Sequence, residues 1–197
     1  MRTLFLREFL RAPWQIGAVT PSSRRLAAAM VEPVPRAGHA VVVELGPGTG
    51  AVTRHIADRL AGRGRQLAVE VNPALASRLA RQHPRIEVVR ADARHLPELL
   101  DARGIGVADV IVSGLPWVGF DPATQSALLG AVRAVMGPDS VFVTFGYRAS
   151  RWTPPARRFR HLLRQTFDEV LIGRTIRLNV PPAFVYYARR PAVVPLS

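Results

Sequence analysis

Ala40-Val41-Val42-Val43-Glu44-Leu45-Gly46-Pro47-Gly48-Thr49-Gly50 is the stretch on which the reading of the whole chain turns. The β-branched run predicts a short buried strand, Ala40 to Leu45, that breaks into a glycine-rich turn. Glycines at alternate positions let the backbone approach a ligand closely, at the carboxyl edge of a sheet where open α/β folds bind their ligands.

Two cofactor chemistries compete for such a loop. The spacing Gly46-x-Gly48-x-x-Ala51 satisfies the dinucleotide pattern, and Glu70 lies near the distance expected of a ribose-binding acid. Three features favour S-adenosylmethionine instead. Pro47 removes a backbone donor that a pyrophosphate would use. Glu44 places a carboxylate where a diphosphate is repelled and a cationic sulfonium is not. Asp92-Ala93 follows the third strand, where a carboxylate can accept from an adenine amino group.

Outward from this loop, strand-like and helix-like segments alternate. Val52 to Leu60 reads as a helix, Gln66 to Val71 as a strand, and Pro73 to Gln82 as a helix opened by its proline. Strands are expected at Ile86 to Arg90, Asp109 to Ser113 and Ser140 to Tyr147. Helices are expected at Pro122 to Met136, capped by Asp121, and at Pro155 to Thr166. Glu169 to Leu178 and Ala183 to Arg189 close the series as two further strands. The fold class is therefore α/β, a mostly parallel seven-stranded sheet with helices on both faces.

At 197 residues the chain suits a single packed domain. With no cysteine it has neither a disulfide nor a thiol nucleophile. The absence of a long apolar run argues against a membrane span, and no signal-peptide pattern opens the chain, so a cytoplasmic protein is expected. The charge is lopsided: 27 basic residues, all arginine, face 14 acids for a net charge of +13. Such a surface attracts polyanions, either nucleic acid or anionic lipid.

Two segments are basic and amphipathic. On a helix over Met1 to Trp14, Phe5, Leu6, Phe9 and Leu10 gather on one side, with Arg7, Glu8 and Arg11 opposite. That pattern is the one used by helices lying in a membrane interface. In Arg157 to Phe167, Phe159, Leu162, Leu163 and Thr166 face away from Arg157, Arg158, Arg160 and Arg164. Between the first segment and the glycine loop, Ser22 or Ser23 is placed to cap a helix.

Glu44 to Gly50, Glu70, Asp92-Ala93 and Ser113-Gly114-Leu115-Pro116 resemble the successive cofactor motifs of class I methyltransferases. The resemblance implies a Rossmann-like domain in which Glu44, Leu45, Gly46, Gly48 and Gly50 wrap the methionine part of S-adenosylmethionine. It places Glu70 on the ribose, Asp92 and Ala93 at the adenine, and Ser113 and Gly114 facing the reacting methyl. Adding Gly17-Ala18-Val19-Thr20-Pro21-Ser22-Ser23 and Asn179-Val180-Pro181-Pro182-Ala183, nearly the whole chain is similar to the bacterial phospholipid N-methyltransferases. That family converts phosphatidylethanolamine stepwise to phosphatidylcholine.

The resemblance implies an N-terminal segment, residues 1–30, that docks on the membrane and covers the cofactor, with Ser22 at the cofactor. Residues 31–197 then form the methyltransferase domain. Anionic lipid and the phospholipid substrate are the expected partners, at the inner face of the cell membrane. The ribosomal RNA adenine dimethylases are also similar, and RNA or a small molecule is the alternative acceptor. Those dimethylases begin the strand-four loop with an asparagine, whereas this chain has Ser113, whose single hydroxyl cannot repeat a bidentate amide hold. Ser113, Trp117 and Tyr147 are expected at the acceptor, the aromatic faces suiting a growing quaternary ammonium.

Overall fold

A computed structural model describes residues 23–192. The expected helix over Met1 to Trp14, the 17–22 segment and the cofactor position Ser22 lie outside the described residues.

Seven strands form one sheet: β1 (Val41–Leu45), β2 (Arg65–Glu70), β3 (Glu87–Arg90), β4 (Ala108–Ser113), β5 (Met136–Tyr147), β6 (Phe167–Ile172) and β7 (Ala183–Pro191). Their order is β3-β2-β1-β4-β5-β7-β6, parallel from β3 to β5, with β7 antiparallel to both of its neighbours. The helices are α1 (Arg24–Met30), α2 (Ala51–Leu60), α3 (Pro73–Gln82), α4 (Leu96–Asp101), α5 (Pro122–Ala134) and α6 (Pro154–Thr166).

The strands are apolar on both sides because each face carries helices. On one face Val42, Val110, Val112, Val141, Val143 and Val185 pack against Leu26 and Met30 of α1 and Ile56 of α2. On the other, Val43, Leu45, Ile111, Phe142 and Tyr186 meet Leu96, Leu129, Phe159 and Leu163 from α4, α5 and α6. Strand alternation thus sorts β1 cleanly: Val42 and Glu44 go one way, Val43 and Leu45 the other.

Local chemistry sets the helix starts. Ser23 caps α1 by accepting from Leu26 N at 3.2 Å. Asn72 caps α3 by accepting from Ala74 N and Leu75 N at 2.9 and 3.1 Å, and Asp121 caps α5 by accepting from Thr124 N at 3.0 Å.

Several boundaries differ from expectation. The fifth strand begins at Met136, a residue expected in the preceding helix, and not at Ser140. Leu96–Asp101 is helical where no helix was expected, its six residues being too few to show a period. The sixth strand ends at Ile172, and residues 173–182 form a loop that returns to β7 through Gly173 N donating to Val185 O at 2.8 Å.

Candidate cofactor and acceptor site

Strand order reverses between β1 and β4, so their carboxyl ends diverge into loops that leave a crevice. At its base the two loops touch. Gly114 N donates to Leu45 O at 2.8 Å, and a Cβ on Gly114 would come within 2.7 Å of Gly46 O. Any larger residue at 114 would push the loops apart.

The glycine loop is held in shape by Glu70, at the end of β2. Its Oε2 accepts from Gly48 N at 3.1 Å and its Oε1 from Asn72 N at 2.9 Å. Gly48 sits at φ +57°, a left-handed conformation that turns its N–H toward that carboxylate. Burial holds the Glu70 pKa above the usual carboxylate value, an effect these backbone donors only partly offset.

Glu44 projects to the same face of the sheet from β1 and is 1% exposed. Burial raises its pKa to about 8, the nearby Thr53 hydroxyl opposes that, and the Glu70 charge adds to it. Neither Glu44 Oε2 nor Thr53 Oγ1 has a hydrogen-bond partner of normal geometry among the described residues. An orphaned buried carboxylate oxygen beside a loop of glycines is what an ammonium group would satisfy.

Asp92 follows β3, beside Glu70, because Ala91 N donates to Glu70 O at 3.2 Å. Its Oδ1 accepts from Arg94 N at 2.9 Å and caps the turn Ala93–His95; its Oδ2 meets Arg94 Nη2 at 2.6 Å. Burial pushes the Asp92 pKa up, but the Arg94 contacts outweigh it and hold it below the usual range. Ala93 is buried in the core beneath. Arg94 was not expected here; it lies two residues beyond the acid, a spacing shared by any turn.

Three acceptor-side residues were expected together: Ser113, Trp117 and Tyr147. The structure separates them. Ser113 is fully buried, and its Oγ accepts from Trp117 Nε1 at 3.0 Å and from Leu115 N at 3.3 Å. Trp117 is 2% exposed, stacked on Phe159 at 5.0 Å and edge-on to Phe142 at 5.8 Å. Its ring is therefore core, and no face is left for a cation. Tyr147 belongs to the opposite face of the sheet, half-buried and edge-on to Phe145 at 5.5 Å. Burial raises the pKa of its phenol.

Thr53 was passed over by sequence reasoning, and Asn179 entered it only within the stretch Asn179 to Ala183, with no role assigned. Asn179 is buried, accepts from Ser23 N at 3.0 Å and donates to Pro181 O at 2.7 Å. It ties the entry to α1 to the β6–β7 loop across 156 positions of sequence. Local patterning carries no trace of that contact. Among the described residues no cluster of side chains is arranged to hold a metal.

The model of a methyltransferase domain family matches residues 42–139, the span holding the glycine loop, Glu70, Asp92 and Ser113. The solved fibrillarin of Aeropyrum pernix, which contains S-adenosylmethionine, superposes with a TM-score of 0.62 at 19% identity, over 83% of this chain and 74% of that one. The chain belongs to the class I S-adenosylmethionine-dependent methyltransferases, and S-adenosylmethionine is its cofactor. Among named proteins it is 36% identical to an ornithine lipid N-methyltransferase of Singulisphaera acidiphila, over 94% of each chain. It is also 41% identical to a small-subunit ribosomal RNA methyltransferase A of Bordetella pertussis, over 48% of this chain and 33% of that protein.

Proposed function

We propose that this enzyme methylates the headgroup amine of a membrane amino-lipid at an anionic surface. Similarity to a lipid N-methyltransferase over 94% of both chains supports the reading most; the likeness to the ribosomal RNA enzymes covers 48% to 49% of this one. Phosphatidylethanolamine is the acceptor expected from sequence, and the ornithine lipid of the whole-length relative is the second acceptor to assay. No described helix is long and apolar enough to cross a membrane, and the reading places the protein peripherally at the inner face of the cell membrane.

Bound S-adenosylmethionine supplies a methyl group on a cationic sulfur. In transfer, the amine lone pair forms the new C–N bond as the C–S bond breaks and its electron pair stays on sulfur. The nitrogen gains the positive charge and sheds a proton to solvent. Only the neutral amine has that lone pair, and a primary amine holds its proton to a pKa of roughly 10. Desolvation in a closed crevice lowers that value, and alignment does the rest.

Residue roles follow from position. Glu44 meets the cofactor ammonium, the loop Gly46 to Gly50 passes along its methionine part, Glu70 holds the ribose and Asp92 with Ala93 the adenine. Asp92 must release Arg94 to do so. Leu45, Ser113 and Gly114 shape the crevice floor, and Tyr147 lies at the acceptor edge. Ser22 and the helix over Met1 to Trp14 cover the site and meet the membrane.

Radiolabelled cofactor supplied with phosphatidylethanolamine vesicles, ornithine-lipid vesicles and ribosomal RNA tests the reading. Label is expected in lipid; label in RNA alone overturns it.

A further inference from the structure

One residue beyond Tyr147, two loops at the carboxyl edge of the sheet enclose an open cavity of about 580 Å³. Arg148, Ala149, Arg151 and Trp152 line it from the turn after β5, and Thr175 and Pro182 from the β6–β7 loop. The loops are clasped together by Arg148 N donating to Pro182 O at 2.8 Å. A second cavity, of about 490 Å³, runs along α6 between Arg157, Arg158, Arg160, His161 and Arg164 and is lined by no residue of a strand or its loop.

Arg151 is the unusual member of the lining. Its guanidinium sits over Trp152 at 5.2 Å and over Phe184 at 5.6 Å, and its Nε is buried with no hydrogen-bond partner among the described residues. Two flanking rings restrict the rotamers of a side chain that otherwise pays much entropy to bind, so its donors are pre-set. Neither Arg148 nor Arg151 is in an ion pair among the described residues. The two stretches of chain that line the cavity carry no acid: none occurs from Ser140 to Phe167 or anywhere after Glu169. Arg148, Arg151 and Thr175 therefore line one space, with neither arginine ion-paired among the described residues. Leu178 and Val180, 63% and 71% exposed, present apolar surface on the same β6–β7 loop that carries Thr175 and Pro182.

The geometry points to an oxyanion-binding subsite, in which Arg148, Arg151 and Thr175 hold the anionic group that an amino-lipid carries a few bonds from its amine. This rests on the amino-lipid reading above. The shared chemistry is an oxyanion, a phosphodiester in phosphatidylethanolamine and a carboxylate in ornithine lipid, each presenting two oxygens to a guanidinium fork. Holding that group fixes the amine next to Tyr147, while Trp152, Leu178 and Val180 lie against the acyl region.

The test compares the intact enzyme with Arg151→Gln and the double variant Arg148→Gln/Arg151→Gln. Each is assayed on detergent-dispersed phosphatidylethanolamine, ornithine lipid and a neutral-tailed long-chain alkylamine that has no anion. Losing charge-assisted bonds should raise KM for both zwitterionic lipids at least about tenfold, with kcat, cofactor Kd and KM for the alkylamine held. Unequal effects on the two lipids identify which anion the subsite prefers. An unchanged KM, or an equal rise for the alkylamine, overturns the subsite while leaving lipid methylation standing.

Were no lipid amine methylated by the intact enzyme, the parent reading would fail and the subsite would still be decided. Calorimetry with inorganic phosphate then reports it directly: heat lost in the double variant supports it, and identical heat in both proteins sinks it. Arg151→Lys, which keeps charge without the stacked fork, should fall between, and thermal melts identify any variant that fails to fold.

Discussion

The indole N–H of Trp117 donates to Ser113 Oγ at 3.0 Å in the buried core, joining the end of β4 to the turn that follows it. This bond shapes the loop Ser113 to Pro116 from below and gives both side chains a structural task. Ser113→Ala leaves the indole donor buried and unpaired, which should cost about 1–3 kcal/mol of stability. Trp117→Ala removes a stacked ring from the core and should cost about 3–5 kcal/mol. Urea denaturation of both variants checks this, and a Trp117→Ala protein as stable as the parent would show that the ring is not core.

Glu70 should dominate cofactor affinity. It braces Gly48 and Asn72 by accepting from their backbone N–H groups, and is the acid proposed to hold the ribose. Glu70→Ala is expected to weaken S-adenosylmethionine roughly 10- to 100-fold in calorimetry, the scale of charge-assisted hydrogen bonds. NAD should give no saturable heat with either protein. Saturable NAD binding without a response to S-adenosylmethionine would reverse the assignment.

With the proposed contact between Glu44 and the cofactor ammonium, cofactor binding should release a proton. With its pKa raised to about 8 by burial, it is mostly protonated at pH 7 in the free protein. A cofactor ammonium beside it favours the carboxylate, so binding should release up to about one proton. Calorimetry at pH 7 in two buffers of different ionisation enthalpy measures that release, which Glu44→Gln should abolish.

The same shift sets a stability slope. Between the unperturbed value of 4.5 and about 8, the folded chain retains a proton that the unfolded chain has lost. Cofactor-free stability contributed by Glu44 is therefore full below pH 4.5 and declines as pH rises through about 8. A flat profile from pH 5 to 8 that does not differ in Glu44→Gln would refute the burial argument.

The segment over Met1 to Trp14 should dock the enzyme on anionic bilayers. Replacing Phe5 and Phe9 with serine is expected to release the protein from anionic vesicles while cofactor affinity holds. Added salt should weaken wild-type binding too, since exposed charges are screened beyond about 8 Å at physiological ionic strength. Continued sedimentation of the double variant with vesicles would assign this helix to ordinary packing.

Much of the fold could be read directly from sequence. Runs such as Val41 to Leu45 and Asp109 to Ser113 appear as strands because a sheet covered on both faces demands apolar residues in succession. Pro73 and Pro122 each mark a first helical turn where a missing N–H costs nothing. The glycine loop, Glu70 and Asp92 were placed at the crevice because strand ends are local features. Leu96–Asp101 was missed, since six residues cannot display a helical period.

The acceptor side resisted the same treatment. Trp117 follows β4 and Tyr147 ends β5, both at the carboxyl edge, and sequence proximity to that edge suggested a shared pocket. Which face of the sheet each aromatic joins depends on packing against helices far away in the chain: Phe159 of α6 for Trp117, the α1 side for Tyr147. The contacts of Asn179 with Ser23 and of Arg151 with Phe184 are equally non-local.

By itself, then, the sequence determined the class of fold and the cofactor, and marked Glu44, Glu70 and Asp92 at the strand ends, because period, turn chemistry and charge at strand ends are properties of neighbouring residues. Tertiary structure alone decided that Ser113 and Trp117 brace the core, that Glu44 is buried with an orphaned oxygen, and that Arg148 and Arg151 share one cavity. Those outcomes depend on which distant surfaces exclude water together, and burial is a property of the packed assembly that no local stretch of chain contains.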